Sequence, residues 1–244
     1  MKKLILIIVI LLGIELEAQG LEQIGWVSKF GIAVGVSPIF IKPDLTPMKQ
    51  MLENFGTPDL GGSGILGYGG GGYAYVMVIK NVRIGGYGFT AKVSKSANIN
   101  GLKREAEYSY GGGAFTIEYT LPSVKNIGVS FGAMIGGVSS ELTLSQFNTD
   151  YDWSNFWKEF DSKNSSSRNL THKLSNSAFT IAPIVNVDVP FNRFMALRIG
   201  GGYVVSFGSS WKVDDRYDIA TVPPSLKSDS FFIQIGIFVG FFVY

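Results

Sequence analysis

Cysteine is absent from all 244 residues, which excludes disulfide frameworks, thiolate metal sites, cysteine nucleophiles and lipid attachment through an N-terminal cysteine. Histidine occurs once, at His172, so a multi-histidine metal site is excluded too. Charge is sparse at 16% of residues, and a net charge of +2 is too small for an electrostatic nucleic-acid binder. Long hydrophobic runs are missing as well. The one unbroken run, Leu4 to Leu12, falls well short of the roughly 20 residues a membrane-spanning helix needs.

What the chain does have is glycine, aromatics and distributed apolar residues. There are 31 glycines, about one residue in eight against a usual ~7%, and they follow no three-residue collagen period. Mean hydropathy is +0.22, which argues against disorder. Lys2 and Lys3, the aliphatic run after them and the small residue Ala18 have the order of a secretory signal. The expected organisation is a signal peptide over 1–18 and a single exported domain over 19–244. An exported, apolar chain with no spanning helix is either a β-sandwich with an internal core or a closed barrel facing lipid.

Alternation and β-branched or aromatic enrichment predict eight strands. They run over Ser28–Ile41, Ile65–Ile79, Val82–Ser94, Tyr108–Leu121, Ile127–Ser145, Leu174–Val189, Phe194–Phe207 and Asp229–Tyr244. Most exceed the ~5–6 residues of globular strands. Short gaps at Lys80-Asn81, Pro122–Asn126 and Pro190–Asn192 alternate with long ones at Lys42–Gly64, Lys95–Glu107, Gln146–Lys173 and Gly208–Ser228. An up-and-down sheet puts alternate connections at opposite ends, giving short periplasmic turns and long extracellular loops. A Greek-key sandwich has no reason to sort its loops this way.

Facing agrees with lipid outside. In the last strand Phe231, Ile233, Ile235, Ile237, Val239, Phe241 and Val243 share one face, opposite Gln234, Gly236 and Gly240. Phe115, Ile117 and Tyr119 oppose Thr116, Glu118 and Thr120, and similar splits hold over 179–189 and 197–207. Closure then leaves no unpaired backbone edge in hydrocarbon. Both faces of 65–79 and 82–94 carry apolar residues, so their facing stays open. The expected fold is all-β: a closed, up-and-down, antiparallel transmembrane barrel of about eight strands.

The apolar, aromatic-ended closing stretch IQIGIFVGFFVY, with the strand count and loop sorting, resembles the small eight-stranded outer-membrane barrels of the OmpA transmembrane-domain and OmpX type. The resemblance implies an outer-membrane location, contact with outer-membrane lipid, and delivery by the barrel-assembly machinery, which recognises a terminal aromatic that Tyr244 matches. The chain departs from that pattern at Gly240, where the family carries a larger apolar residue.

Few residues invite chemistry. Gly67-Tyr68-Gly69-Gly70-Gly71-Gly72 spells a dinucleotide fingerprint, but strand-like residues follow where a helix is required. The glycines read as wall geometry, so no cofactor is expected. Arg83, Glu118, Asp188 and Arg198 are expected to line the lumen near the short turns and to pair there, because unpaired buried charge is costly. His172 has Ser175 and Ser177 nearby, but Leu174 stands where the lipid A deacylase family carries its serine, so a surface histidine at a loop–strand junction is expected. No catalytic or metal residues are assigned.

Two loops stand out. Thr46-Pro47-Met48 is expected to open a helix with Thr46 as N-cap and Gly56 closing it, its face of Met48, Met51, Leu52 and Phe55 packing on the barrel mouth as a lid. The stretch after Gln146 carries Phe147, Tyr151, Trp153, Phe156, Trp157 and Phe160 among Asp150, Asp152, Glu159 and Asp161. That composition suits a headgroup girdle or a recognition surface. The Ser/Asn-rich Ser162–Asn169 segment reads as flexible. The functional expectation is a non-enzymatic barrel with a structural or surface-interaction role, an extracellular ligand meeting the loops over 42–64 and 146–173. A lipid-modifying enzyme and a small-solute pore are the rival readings.

Overall fold

The computed structural model describes residues 30–58, 60, 64–122, 127–148 and 169–243. Eight long antiparallel strands form its wall: β1 (Phe30–Pro43), β2 (Ile65–Tyr75), β3 (Val82–Ile99), β4 (Leu102–Thr120), β5 (Gly128–Asn148), β6 (Leu170–Asn192), β7 (Met195–Val213) and β9 (Ser230–Val243). A two-residue strand β8 (Tyr217–Asp218) folds back onto β7, and helix α1 (Thr46–Phe55) follows β1. Each long strand pairs with its chain neighbours, and β1 pairs with β9. The sheet is closed.

Closure fixes the geometry. A path along paired outward residues runs from Phe207 through Gly137, Gly88 and Val36 and re-enters β7 at Leu197, ten residues below its start. With eight strands that stagger tilts them by ~35–45° and leaves an interior only as wide as its side chains. Inward glycines make so narrow a wall possible. A Cβ at Gly35 would strike the Phe238 ring, and one at Gly200 would collide with Asn186 Oδ1.

The outer face is an apolar belt. Ile32, Val34, Ile117, Phe131, Phe179 and the odd-numbered residues Phe231 to Phe241 are all solvent-exposed in the isolated chain. Exposed apolar area on that scale has no place in a water-soluble monomer. Wrapped around a closed wall it is the surface that faces acyl chains. The chain is an outer-membrane-type barrel. The open facing of β2 and β3 is settled: Leu66, Tyr68 and Ile84 point out, while Ile65, Tyr73 and Tyr87 point in. Both faces look apolar in sequence because this lumen is partly filled by aromatics.

Several expected boundaries shift. Lys95–Glu107 is no loop: β3 and β4 continue to a two-residue turn at Asn100-Gly101, both at positive φ. Asn-Gly is the strongest hairpin signal a sequence offers, and the polar residues around it masked it. Much of Gly208–Ser228 is strand as well, since β7 runs to Val213. At the other end β2 stops at Tyr75, so Met77, Val78 and Ile79 belong to the turn. The stretch expected as a signal peptide, most of the expected turn at Pro122–Asn126, Tyr244 and residues 149–168, with most of the aromatic loop, lie outside the described residues.

Candidate functional site

The lower lumen holds the four charged residues the sequence singles out. Arg83 at the start of β3 and Glu118 near the end of β4 are register partners, as are Asp188 on β6 and Arg198 on β7. Alternation aims all four inward at the short-turn end, where all are buried. Arg83 Nη2 lies 2.6 Å from Glu118 Oε2, and its Nη1 lies 2.5 Å from Asp188 Oδ2. Arg198 donates to both Asp188 oxygens at 2.7 and 3.1 Å, and its Nη1 stands 3.5 Å from Glu118 Oε1.

Neutral groups complete the cluster. Ser130 Oγ and Asn186 Nδ2 donate to Glu118 Oε2 at 2.8 and 2.9 Å. Both guanidiniums also meet the Tyr73 ring, Arg83 Cζ at 4.4 Å and Arg198 Cζ at 4.2 Å from its centroid, while Phe238 meets Arg198 at 4.6 Å. Two positive and two negative charges thus cancel within a crosslink spanning β3, β4, β6 and β7. In so dry a site the desolvation cost is offset only when every partner is present. Sequence puts Asn186 on the polar face with Asp188 but does not single out Tyr73 or Ser130. Period-2 counting from Asp188 places Asn186 inward, but β2 and β5 carry none of the four charged residues, so nothing local marks Tyr73 or Ser130 as partners.

Above this plug the lumen stays filled. Ser37 bonds Tyr87 Oη at 2.6 Å and donates to Gln234 Oε1 at 3.2 Å. Met134, Val138, Ile184, Phe232 and Tyr110 continue as one buried cluster to Leu142, Trp211 and the helix residues Met48 and Leu52. The helix is therefore the expected lid, with two corrections. Leu45, not Thr46, is the N-cap residue, and the Asp44 carboxylate instead accepts the Thr46 N–H at 3.1 Å. Of the expected face, Met48 and Leu52 are buried, while Met51 is exposed. Arg104 donates to the Phe55 carbonyl at 2.8 Å and ties the lid to β4.

The outer end carries the remaining polar groups. β9 leaves β7 at Ser230–Val204, and the Asp229 carboxylate takes over there, accepting Ser206 N–H and Oγ–H at 2.7 Å each. Beyond it a cavity of about 640 Å³ opens among Phe207, Trp211, Asp218, Ile219, Val222 and Lys227. His172 lies within β6 rather than at its start, because β6 begins at Leu170. Its Nδ1 is 3.2 Å from Asp214 Oδ2, and no serine hydroxyl is paired with the ring among the described residues. Ser175 instead bonds Asp215. The Lys173 backbone N–H first, then His172, hold the Asp214 carboxyl below its ordinary range. The Gly67–Gly72 run forms strand paired to β1 and β3 with no helix after it. Among the described residues no three metal-ligating side chains cluster.

No protein-family model matches the chain, and no curated protein does. Among solved structures it is similar to Ail, the attachment invasion locus protein of Yersinia pestis, in complex with the heparin analogue sucrose octasulfate. That match has 8% identity over 87% of this chain and 97% of that one, at a TM-score of 0.43. Neisserial surface protein A matches at 11% identity over 87% and 97%, with a TM-score of 0.44. The outer membrane protein OprG from Pseudomonas aeruginosa matches at 10% over 88% and 98%, with a TM-score of 0.48.

Proposed function

We propose that this integral outer-membrane barrel is neither an enzyme nor an open pore, and works as an envelope-structural protein with an extracellular interaction surface. One observation carries the reading: the lumen is occupied from the four-charge plug to the helix lid, so the surfaces left to meet other molecules are outside. Supporting it, β3 to β7 run past the belt on the long-loop side, where the lid and the 640 Å³ cavity lie together. Cleavage after residue 18 and recognition of Tyr244 by the assembly machinery belong to the same proposal.

Planar-bilayer recording tests it. The refolded protein is expected to give no steady single-channel current in neutral salt. Reproducible conductance steps from the unmodified protein would replace this reading with a pore. For the enzymatic rival, His172→Ala is expected to leave the lipid A composition of expressing cells unchanged.

A further inference from the structure

The two most exposed large apolar side chains of the described chain, Met77 and Val78, lie on neither the belt nor the outer mouth. They belong to the β2–β3 turn, where Met77, Val78 and Ile79 are 80%, 91% and 56% exposed. The turn is well built: Val76 N–H donates to the Val82 carbonyl at 2.8 Å, and the Asn81 carbonyl accepts from Thr120 N–H at 2.8 Å. The end of β6 and the turn into β7 repeat the composition, with exposed Phe191 and Phe194. Each turn also carries one exposed cation, Lys80 and Arg193. Neither forms an ion pair among the described residues, and neither stretch, 76–82 or 189–195, contains an acidic residue.

A turn standing in water gains nothing from three adjacent apolar side chains. These sit below the outward row Phe241–Ile32–Ala74–Ile84, joined by pairing. Phe194 extends the same rim: its carbonyl accepts from Gly240 N–H, and its ring centroid is 6.1 Å from that of Phe241. The patches therefore continue the lipid-facing surface, and their cations match the phosphates that bound it.

We propose that both turns are interfacial anchors in the periplasmic leaflet of the outer membrane. Met77, Val78, Ile79, Phe191 and Phe194 enter the acyl boundary, and Lys80 and Arg193 stay at phospholipid phosphates. The anchors pin the depth of the barrel from its short-turn end.

The absence of cysteine makes the test direct. Full chains carrying Val78→Cys, Ile235→Cys in the belt or Lys227→Cys in an outer loop take a nitroxide at one site each. They are refolded into phosphatidylcholine–phosphatidylglycerol vesicles, with folding checked by the gel shift on heating. Accessibility to oxygen and to a water-soluble nickel chelate is then read. The label at 78 is expected to give a positive depth parameter like that at 235, and the label at 227 a negative one. Adding Lys80→Glu and Arg193→Glu is expected to shift the label at 78 toward water and leave that at 235 unmoved. A label at 78 as open to nickel as that at 227, with 235 still in lipid, overturns the anchor and leaves the barrel reading intact. A label at 78 shielded from both reagents only in native envelopes overturns it in favour of a periplasmic protein partner. Nickel access at 235 overturns the barrel reading itself.

Discussion

At residue scale the plug is the most consequential feature. Arg83 answers two carboxylates, one on β4 and one on β6. Arg83→Ala leaves both buried with one fewer cation, and the expected loss is about 3–5 kcal/mol, read as a lower urea midpoint in lipid vesicles. Exchanging Arg83 and Glu118 together for Met and Leu is expected to cost less than Arg83→Ala alone, because it removes a neutral pair. The glycines divide by the same local logic. Gly200→Ala drives a methyl into Asn186 Oδ1 and is expected to cost about 1–3 kcal/mol. Nothing approaches a Cβ at the outward Gly113, so Gly113→Ala is expected to stay within about 0.5 kcal/mol. Parallel unfolding titrations of the two variants separate steric necessity from composition. Sequence shows that Arg83, Glu118, Asp188 and Arg198 face inward near the short turns. It does not show that both guanidiniums meet the Tyr73 ring, since that contact joins residues from three strands.

The elements outside the membrane obey local rules that sequence partly reveals. Gly56 closes α1 in the left-handed conformation, with φ of 86°, as a glycine after an apolar face predicts. The helix start is less legible, because Asp44, two residues before Thr46, supplies the capping oxygen. Asp44→Ala is expected to cost about 0.5–2 kcal/mol of lid stability, measured as faster proteolysis near the helix in folded protein. The β7–β8 turn has a pH dependence of known sign. Asp214 is held below its ordinary range by Lys173 N–H and His172, so its contribution is present above the unfolded carboxylate range and lost as pH falls through the depressed value. Hydrogen exchange of the Lys173 amide, which donates to Asp214 at 3.0 Å, is expected to show weaker relative protection on acidification. Asp214→Asn is expected to flatten that dependence.

For the whole molecule, belt and lumen must respond oppositely to charge. Ile235 points at lipid from the middle of β9, and Ile235→Arg is expected to cost about 2–4 kcal/mol if its depth is near the midplane. Refolding yield into vesicles, with the heat-dependent gel shift as the readout, checks it. Gln234, one residue away, faces the lumen and bonds Ser37 and Asn186. A single register step would exchange these environments, which is why pairing is so strictly set.

The sequence by itself determined the wall: eight alternating stretches, an apolar face on most of them, and short connections at one end. Each follows from the two-residue strand period and the cost of exposed backbone in hydrocarbon, both readable along a single chain. Only the tertiary structure decided what fills the barrel and how far its strands rise. Lumen contacts such as Arg83 to Asp188, 105 residues apart, depend on the ten-residue stagger at closure. The polar upper strands of the Asn100-Gly101 hairpin keep their conformation through pairing with β5, a force their own residues do not display.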